Sequence, residues 1–109
     1  MDLVFKALAD ETRRSILDVL RAKDGLTLSE LEDQLAKDGL KMTRFGVMKH
    51  LKVLEAASLV VPVKKGRFKY LYLNALPLQE VLNRWVEPMI QKPMAKAALL
   101  LKNKLEGEK

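Results

Sequence analysis

The residues equipped for chemistry in this chain are cations. Arg44, Lys49 and Lys52 sit in a stretch, Thr43 to Val60, that reads as one helix, and no acid interrupts the sequence from Leu40 to Leu54. Val47, Leu51 and Leu54 recur at i, i+4 and i+7, which is one face at about 3.6 residues per turn. The three cations lie away from that stripe. A helix with an apolar face inward and an acid-free cationic face outward is suited to lie against a polyanion. A second cationic group, Lys64, Lys65, Arg67 and Lys69, surrounds the turn at Gly66. From Lys37 to Tyr72 the chain carries nine cations against two anions, Asp38 and Glu55, so the excess behind a net charge of +6 lies in one third of the sequence. Solvation alone would scatter that charge; a side that faces nucleic acid explains its concentration.

Other chemistries find little to stand on. The absence of cysteine excludes a disulfide framework, a thiolate zinc site and a thiol switch. His50 is the single histidine, a poor basis for a metal site, and is expected to bond a phosphate or a neighbouring backbone group. Ser15, Ser29 and Ser58 have no nucleophile-elbow context, and the five glycines stand singly, so no glycine-rich loop cradles a phosphate. Glu80 and Glu87 read as a polar helix face. No enzymatic activity, cofactor or metal is expected.

The elements that must position the cations follow from periodicity and punctuation. The 109 residues suffice for a single domain, 1–109. Leu3, Val4, Phe5 and Leu8 form a short apolar opener that must pack on something. Asp10 reads as an N-cap for a helix carrying Ile16, Leu17 and Leu20, closed at Asp24-Gly25. Leu26 to Leu28 reads as extended. Ser29 then reads as the cap of a third helix with Leu31 and Leu35 inward, broken by Asp38-Gly39. Thr43 caps the basic helix, which gives way near Ser58 to a β-rich run. Lys65-Gly66 turns it back into Phe68 to Leu73, a hairpin with a cationic tip, and Pro62 belongs at a sheet edge because it cannot donate. The last third is helical, with Pro77 in a first turn and a stripe of Leu78, Val81, Leu82, Trp85 and Met89. Pro88 and Pro93 are expected to kink or split it. The N-terminus has no signal-peptide pattern, and no apolar run reaches the roughly 18 residues of a membrane span. A soluble protein of the cytoplasm, with no membrane partner, is the expectation.

Two helices joined by a turn and followed by a basic hairpin make a winged helix-turn-helix. The fold is thus mainly α with a small β-hairpin and a long C-terminal helix. In that layout helix-turn-helix 29–57 places recognition helix 43–56 in the major groove, and wing 59–73 follows the adjacent backbone or minor groove. The candidate DNA contacts are Thr43, Arg44, Phe45, Gly46, Met48, Lys49, His50 and Lys52, with Lys64, Lys65, Arg67 and Lys69 on the wing. Phe45 and Met48 either meet thymine methyls or pack on the preceding helix. Gly46, which costs about 1 kcal/mol against Ala within a helix, points to a close approach there by DNA or a neighbouring helix.

The segment Phe5-Lys6-Ala7-Leu8-Ala9-Asp10-Glu11-Thr12-Arg13-Arg14-Ser15-Ile16-Leu17 resembles the opening of the ArsR family of bacterial repressors. His50-Leu51-Lys52-Val53-Leu54-Glu55-Ala56-Ala57-Ser58-Leu59-Val60 resembles that family's recognition-helix ending, and Gly66-Arg67 with Tyr70 and Tyr72 resembles its wing. The resemblance implies a homodimer that represses transcription at an inverted repeat in double-stranded DNA, with the first and last helices, 1–8 and 77–106, as the interface. The residues carrying that expectation are Val4, Phe5, Leu8, Trp85, Met89, Met94, Ala98, Leu101 and Leu105. Three positions depart from the family pattern. Met48 replaces a frequent Ser, Ser58 replaces the usual Gly at the turn into the wing, and the connection from Ala36 to Met42 is longer. The cysteines, or His and Asp pairs, of metal-responsive members are absent from 12–22 and 77–109. Two alternatives stay open: a winged-helix module that binds protein, and a repressor released by a small organic ligand held near Trp85, Met89 and Met94. The effector is unknown at this stage.

Overall fold

The computed structural model describes the backbone of residues 1–91 and 94–107 and the side chains of 1–91 and 98–107. In chain order come α1 (Asp2–Leu8), α2 (Glu11–Ala22), α3 (Leu28–Lys37), α4 (Arg44–Ala56), β1 (Val60–Lys65), β2 (Phe68–Leu73), α5 (Leu76–Val81), α6 (Glu87–Gln91) and α7 (Met94–Gly107). A π-helical turn, Leu82–Val86, joins α5 to α6. The architecture is a winged helix-turn-helix, mainly helical with one antiparallel hairpin. Packing divides it into two compact units, Met1–Leu78 and the segment from Gln79 onward.

In the first unit α2, α3 and α4 each start on a side-chain cap. Asp10 accepts the Arg13 N–H at 3.1 Å, and Thr43 Oγ1 accepts the Gly46 N–H at 3.1 Å, so each satisfies a backbone donor that the first helical turn leaves over. The expected cap of α3 is corrected. Thr27, not Ser29, holds that place, and Glu30 reaches back to the Thr27 N–H at 3.0 Å in a reciprocal capping box. The box satisfies two orphan donors, while Glu32, three residues after Ser29, is engaged by Arg44 instead.

The core is aliphatic and comes from every element around the helix-turn-helix. Ile16 and Leu20 of α2, Leu31 and Leu35 of α3, Val47 and Leu54 of α4, and Leu59 and Val60 at the base of the hairpin are all fully buried. Each such side chain is worth about 1.5–3 kcal/mol relative to exposure. Leu31 and Leu35 on α3, and Val47, Leu51 and Leu54 on α4, are the inward residues that the helical period marks.

The hairpin pairs Val60 with Leu73 and continues in register to Lys65 opposite Phe68, leaving Gly66-Arg67 as a two-residue loop. Gly66 carries a φ of +61°, the left-handed region that glycine enters without a Cβ penalty. Leu26 adds one residue of pairing on the other side of β2. The Leu71 N–H donates to the Leu26 carbonyl at 2.8 Å, and the Leu71 carbonyl accepts from the Gly25 N–H at 2.9 Å. Leu71 therefore directs both backbone groups away from its β1 partner Pro62, and the missing proline donor leaves nothing unpaired. The expected edge position of Pro62 holds. At the entry to the hairpin Ser58 has a φ of +59°. The Ser58 and Leu59 N–H groups close onto Glu55 and Leu54 carbonyls, which is how a helix ends on a left-handed residue.

In the second unit the expected break at Pro88 takes a specific form. The Glu87 N–H bonds the Leu82 carbonyl, five residues back, just before the proline that cannot donate. The helix is widened there rather than split. Pro93 lies outside the described residues. Among the described residues no helix is long and apolar enough to cross a membrane.

Candidate nucleic-acid interface

The face of α4 opposite its buried stripe carries Phe45, Met48, Lys49 and Lys52. At about 3.6 residues per turn these four fall within an arc of roughly 100°, and all are exposed. The Lys49 ammonium stands over the Phe45 ring, 5.6 Å from its centroid. Met48, Lys52 and the acidic Glu55 of α4, with Lys69 and Leu71 of β2, line one open groove of about 450 Å³ between helix and hairpin. The structure thus brings the two cationic groups of the sequence to a shared edge.

On the hairpin, Lys64 and Lys69 are directly opposed across the strands, Lys65 borders the turn and Arg67 lies in it. Like charges in that relation destabilise a hairpin. Among the described residues no carboxylate lies within salt-bridge distance of any of these four, nor of Lys49 or Lys52. Tyr70 and Tyr72 are half-buried on β2, as strand-pair residues should be, and the fully inward residue is Leu71.

Four candidates from the sequence have other engagements. Arg44 donates through Nε to Glu32 at 2.8 Å and through a terminal nitrogen to the Ser29 hydroxyl at 2.8 Å. It ties the first turn of α4 to α3, and its charge is already paired. His50 turns back toward the start of α2. Its Nδ1 lies 3.3 Å from an Arg13 guanidinium nitrogen and 3.7 Å from Asp10 Oδ2, so within the chain its neighbours are side chains. Arginine offers only donors, so the Arg13 contact is a hydrogen bond while Nδ1 is unprotonated. The same guanidinium donates to the Ala7 and Lys6 carbonyls, closing the end of α1. The Arg13 N–H hydrogen bond, reinforced by the charges of His50 and Arg13, outweighs desolvation and holds the Asp10 carboxyl below its ordinary pKa. Gly46 has a local explanation: an added Cβ would sit 3.3 Å from Met42 Cε and 3.3 Å from the capping Thr43 Oγ1. The crowding comes from its own cap, and Thr43 itself is occupied as that cap.

The residues expected at a dimer seam separate in the same way. Val4 is only 7% exposed and, with Ala7, forms the buried face of α1, which packs on α2 and α4. Val4 therefore supports α1 and offers no surface. Leu8 is half-buried, whereas Phe5, Trp85, Met89, Ala98, Leu101 and Leu105 are exposed. The side chain of Met94 lies outside the described residues.

Sequence reading missed Glu32, Ser29 and Arg13 as the groups that hold the recognition helix in place. Their contacts to α4 span twelve to thirty-seven residues. Only a fold, and no local period, brings them together.

Residues 8–63 match the family model described as a helix-turn-helix domain. The chain is 47% identical over 87 residues to the uncharacterized HTH-type transcriptional regulator YuzN of Bacillus subtilis (strain 168), covering 79% of this chain and 95% of that protein. It is 34% identical over 92 residues to the transcriptional repressor SdpR of the same organism, covering 84% and 94%. Among solved structures, an ArsR-like transcriptional regulator from Rhodococcus sp. RHA1 superposes with a TM-score of 0.69 at 29% identity, covering 97% of this chain and 90% of that one. With its α3–α4 pair, its cationic hairpin and these relatives, the chain belongs to the ArsR family of winged helix-turn-helix transcriptional regulators.

Proposed function

We propose that the protein is a repressor that binds an inverted-repeat operator as a homodimer, with α4 in the major groove and the hairpin along the adjacent backbone or minor groove. The observation that carries this reading is the cationic edge itself. Lys49, Lys52, Lys64, Lys65, Arg67 and Lys69 stand exposed with no carboxylate partner among the described residues, and Lys64 and Lys69 face each other. A polyanion supplies the missing countercharge. Repression is supported by the relation to SdpR. Two-fold symmetry would set the half-sites about one helical turn, or a multiple of it, apart. A dimer is supported by the exposed Leu82, Trp85, Met89, Ile90, Leu99, Leu100, Leu101 and Leu105. Such a regulator works where the bacterial chromosome is, in the cytoplasm. Its relatives are regulators rather than enzymes, and no group of metal-ligating side chains occurs among the described residues.

Fluorescence anisotropy tests this, with a duplex from the gene's own upstream region and a scrambled one, each at two salt concentrations. The native duplex should bind roughly 10³-fold tighter or better, and both should weaken steeply with salt. Lys65→Ala should lower affinity for both duplexes alike and reduce the salt slope by about one. Absence of binding to either duplex at low salt would defeat the reading.

A further inference from the structure

Phe45 and Met48 are large apolar side chains on the outward face of a charged helix, 71% and 45% exposed. Neither is sequestered by the preceding helix, the alternative that their types left open. The ring of Phe45 meets the Lys49 ammonium, and Met48 stands at the lip of the groove shared with Lys52 and Lys69. Both belong to the first two turns of α4, the part of a recognition helix that reaches base edges. The flanking lysines favour phosphate, which lies on either side of the groove floor, so the apolar pair is delivered to the floor between them. Among natural bases the major groove offers one apolar group there, the C5-methyl of thymine.

We infer that Phe45 and Met48 select thymine by contact with its C5-methyl group at two positions of each half-site. This rests on the DNA-binding reading and deepens it. Most hydrogen-bonding side chains read polar edges; this pair reads shape and apolarity, so the chain prefers T·A steps where Ser in place of Met48 would express no such preference. Lys49, held over the Phe45 ring, is aimed along the same face and contributes affinity without sequence preference.

The test begins with the full chain and a random-sequence duplex pool, from which bound duplexes are selected and sequenced. The best binder is resynthesised with deoxyuridine in place of each half-site thymine in turn. That change keeps every pairing and hydrogen-bonding edge and removes only the methyl. Loss of one buried methyl should weaken binding about fourfold, at two positions per half-site. Met48→Ala should abolish the discrimination at one of them and Phe45→Ala at the other. Lys52→Ala should weaken thymine and uridine duplexes equally. Both variants change exposed side chains, and their retained binding to scrambled DNA would show that they fold. Equal binding of all uridine duplexes, or undiminished discrimination in both variants, would overturn the inference while leaving DNA binding intact. If no duplex is enriched, the DNA-binding reading fails, and this inference with it.

Discussion

Residues 1–78 hold the buried apolar core, and the described residues from 79 onward display most of their large apolar side chains. Among the described residues, every fully or nearly buried hydrophobic residue except Val81 belongs to the first unit. On α7 the described leucines at 99, 100, 101 and 105 are each close to 60% exposed. The residue types are the same; what differs is whether other elements stand opposite. α2, α3, α4 and the hairpin converge on one another, so the leucines of α3 and α4 meet partners from their own chain. Leu99, Leu100 and Leu101 are consecutive, hence spread round the helix, and a helix apolar over much of its girth calls for neighbours on several sides. A fourteen-residue helix such as α7 is also marginal alone in water. The first unit buries a core of its own, and the dimer proposed above is what would cover the leucines of α7.

The sharpest way to break that contrast is a matched pair of truncations. Leu54→Ala removes a fully buried side chain and should lower unfolding stability by about 2–5 kcal/mol in urea titrations. Leu101→Ala, measured at high dilution, should leave the unfolding of the first unit unchanged; an equal loss at both sites would erase the distinction. Next in size, Leu101→Glu should weaken self-association roughly tenfold or more. Light scattering across a dilution series would record that shift toward monomer, and an unaltered mass profile would remove α7 from the dimer seam.

Smaller effects sharpen the account of the first unit. Thr27→Ala should cost about 1 kcal/mol of stability by removing the cap of α3. The Glu30 carboxyl is held below its ordinary pKa by hydrogen bonds from the Thr27 backbone and then its side chain, as Asp10 is by Arg13. Both folded-state values are depressed, so their stabilisation is complete above the ordinary carboxylate range and lost as pH falls through the depressed values. Denaturation series between about pH 6 and pH 3 should show stability falling, with part of the fall absent in Thr27→Ala. The smallest change is a gain. Ser58→Gly relieves a left-handed residue, worth about 1–2 kcal/mol, against glycine's greater freedom when unfolded, roughly 0.5–1 kcal/mol. A net rise of about 0.5–1 kcal/mol in stability is expected, read as a higher denaturation midpoint.

What was legible in the sequence was whatever a local rule governs. Asp10 and Thr43 cap as their types suggest, Val47, Leu51 and Leu54 point inward together, and Gly66 marks the turn. Thr27 was legible only as one of two choices: Thr27 and Glu30 have capping-box spacing, but so do Ser29 and Glu32. Beyond reach were contacts made by folding. Nothing near Arg44 announces Glu32 as its partner, nothing near His50 announces Arg13, and the extended reading of Leu26 does not say that Leu71 pairs with it. The burial of Val4 is of this kind, because the short opener alone does not say which of its apolar residues meets α2 and α4. At Pro88 the missing donor forecast a disturbance, but whether the helix bends, breaks or widens depends on where neighbouring carbonyls find partners.

The opposed Lys64 and Lys69 have a consequence for how this molecule responds to its surroundings. Their repulsion strains the hairpin when no anion is near, and dissolved ions screen it within about 10 Å at ordinary ionic strength. Added salt therefore steadies the hairpin of the free protein while it would loosen the proposed hold on phosphate. Two measurable quantities of one small element move in opposite directions with the same variable. The hairpin is at its least settled in dilute buffer without DNA, the condition in which a strand of phosphates gives it the most relief.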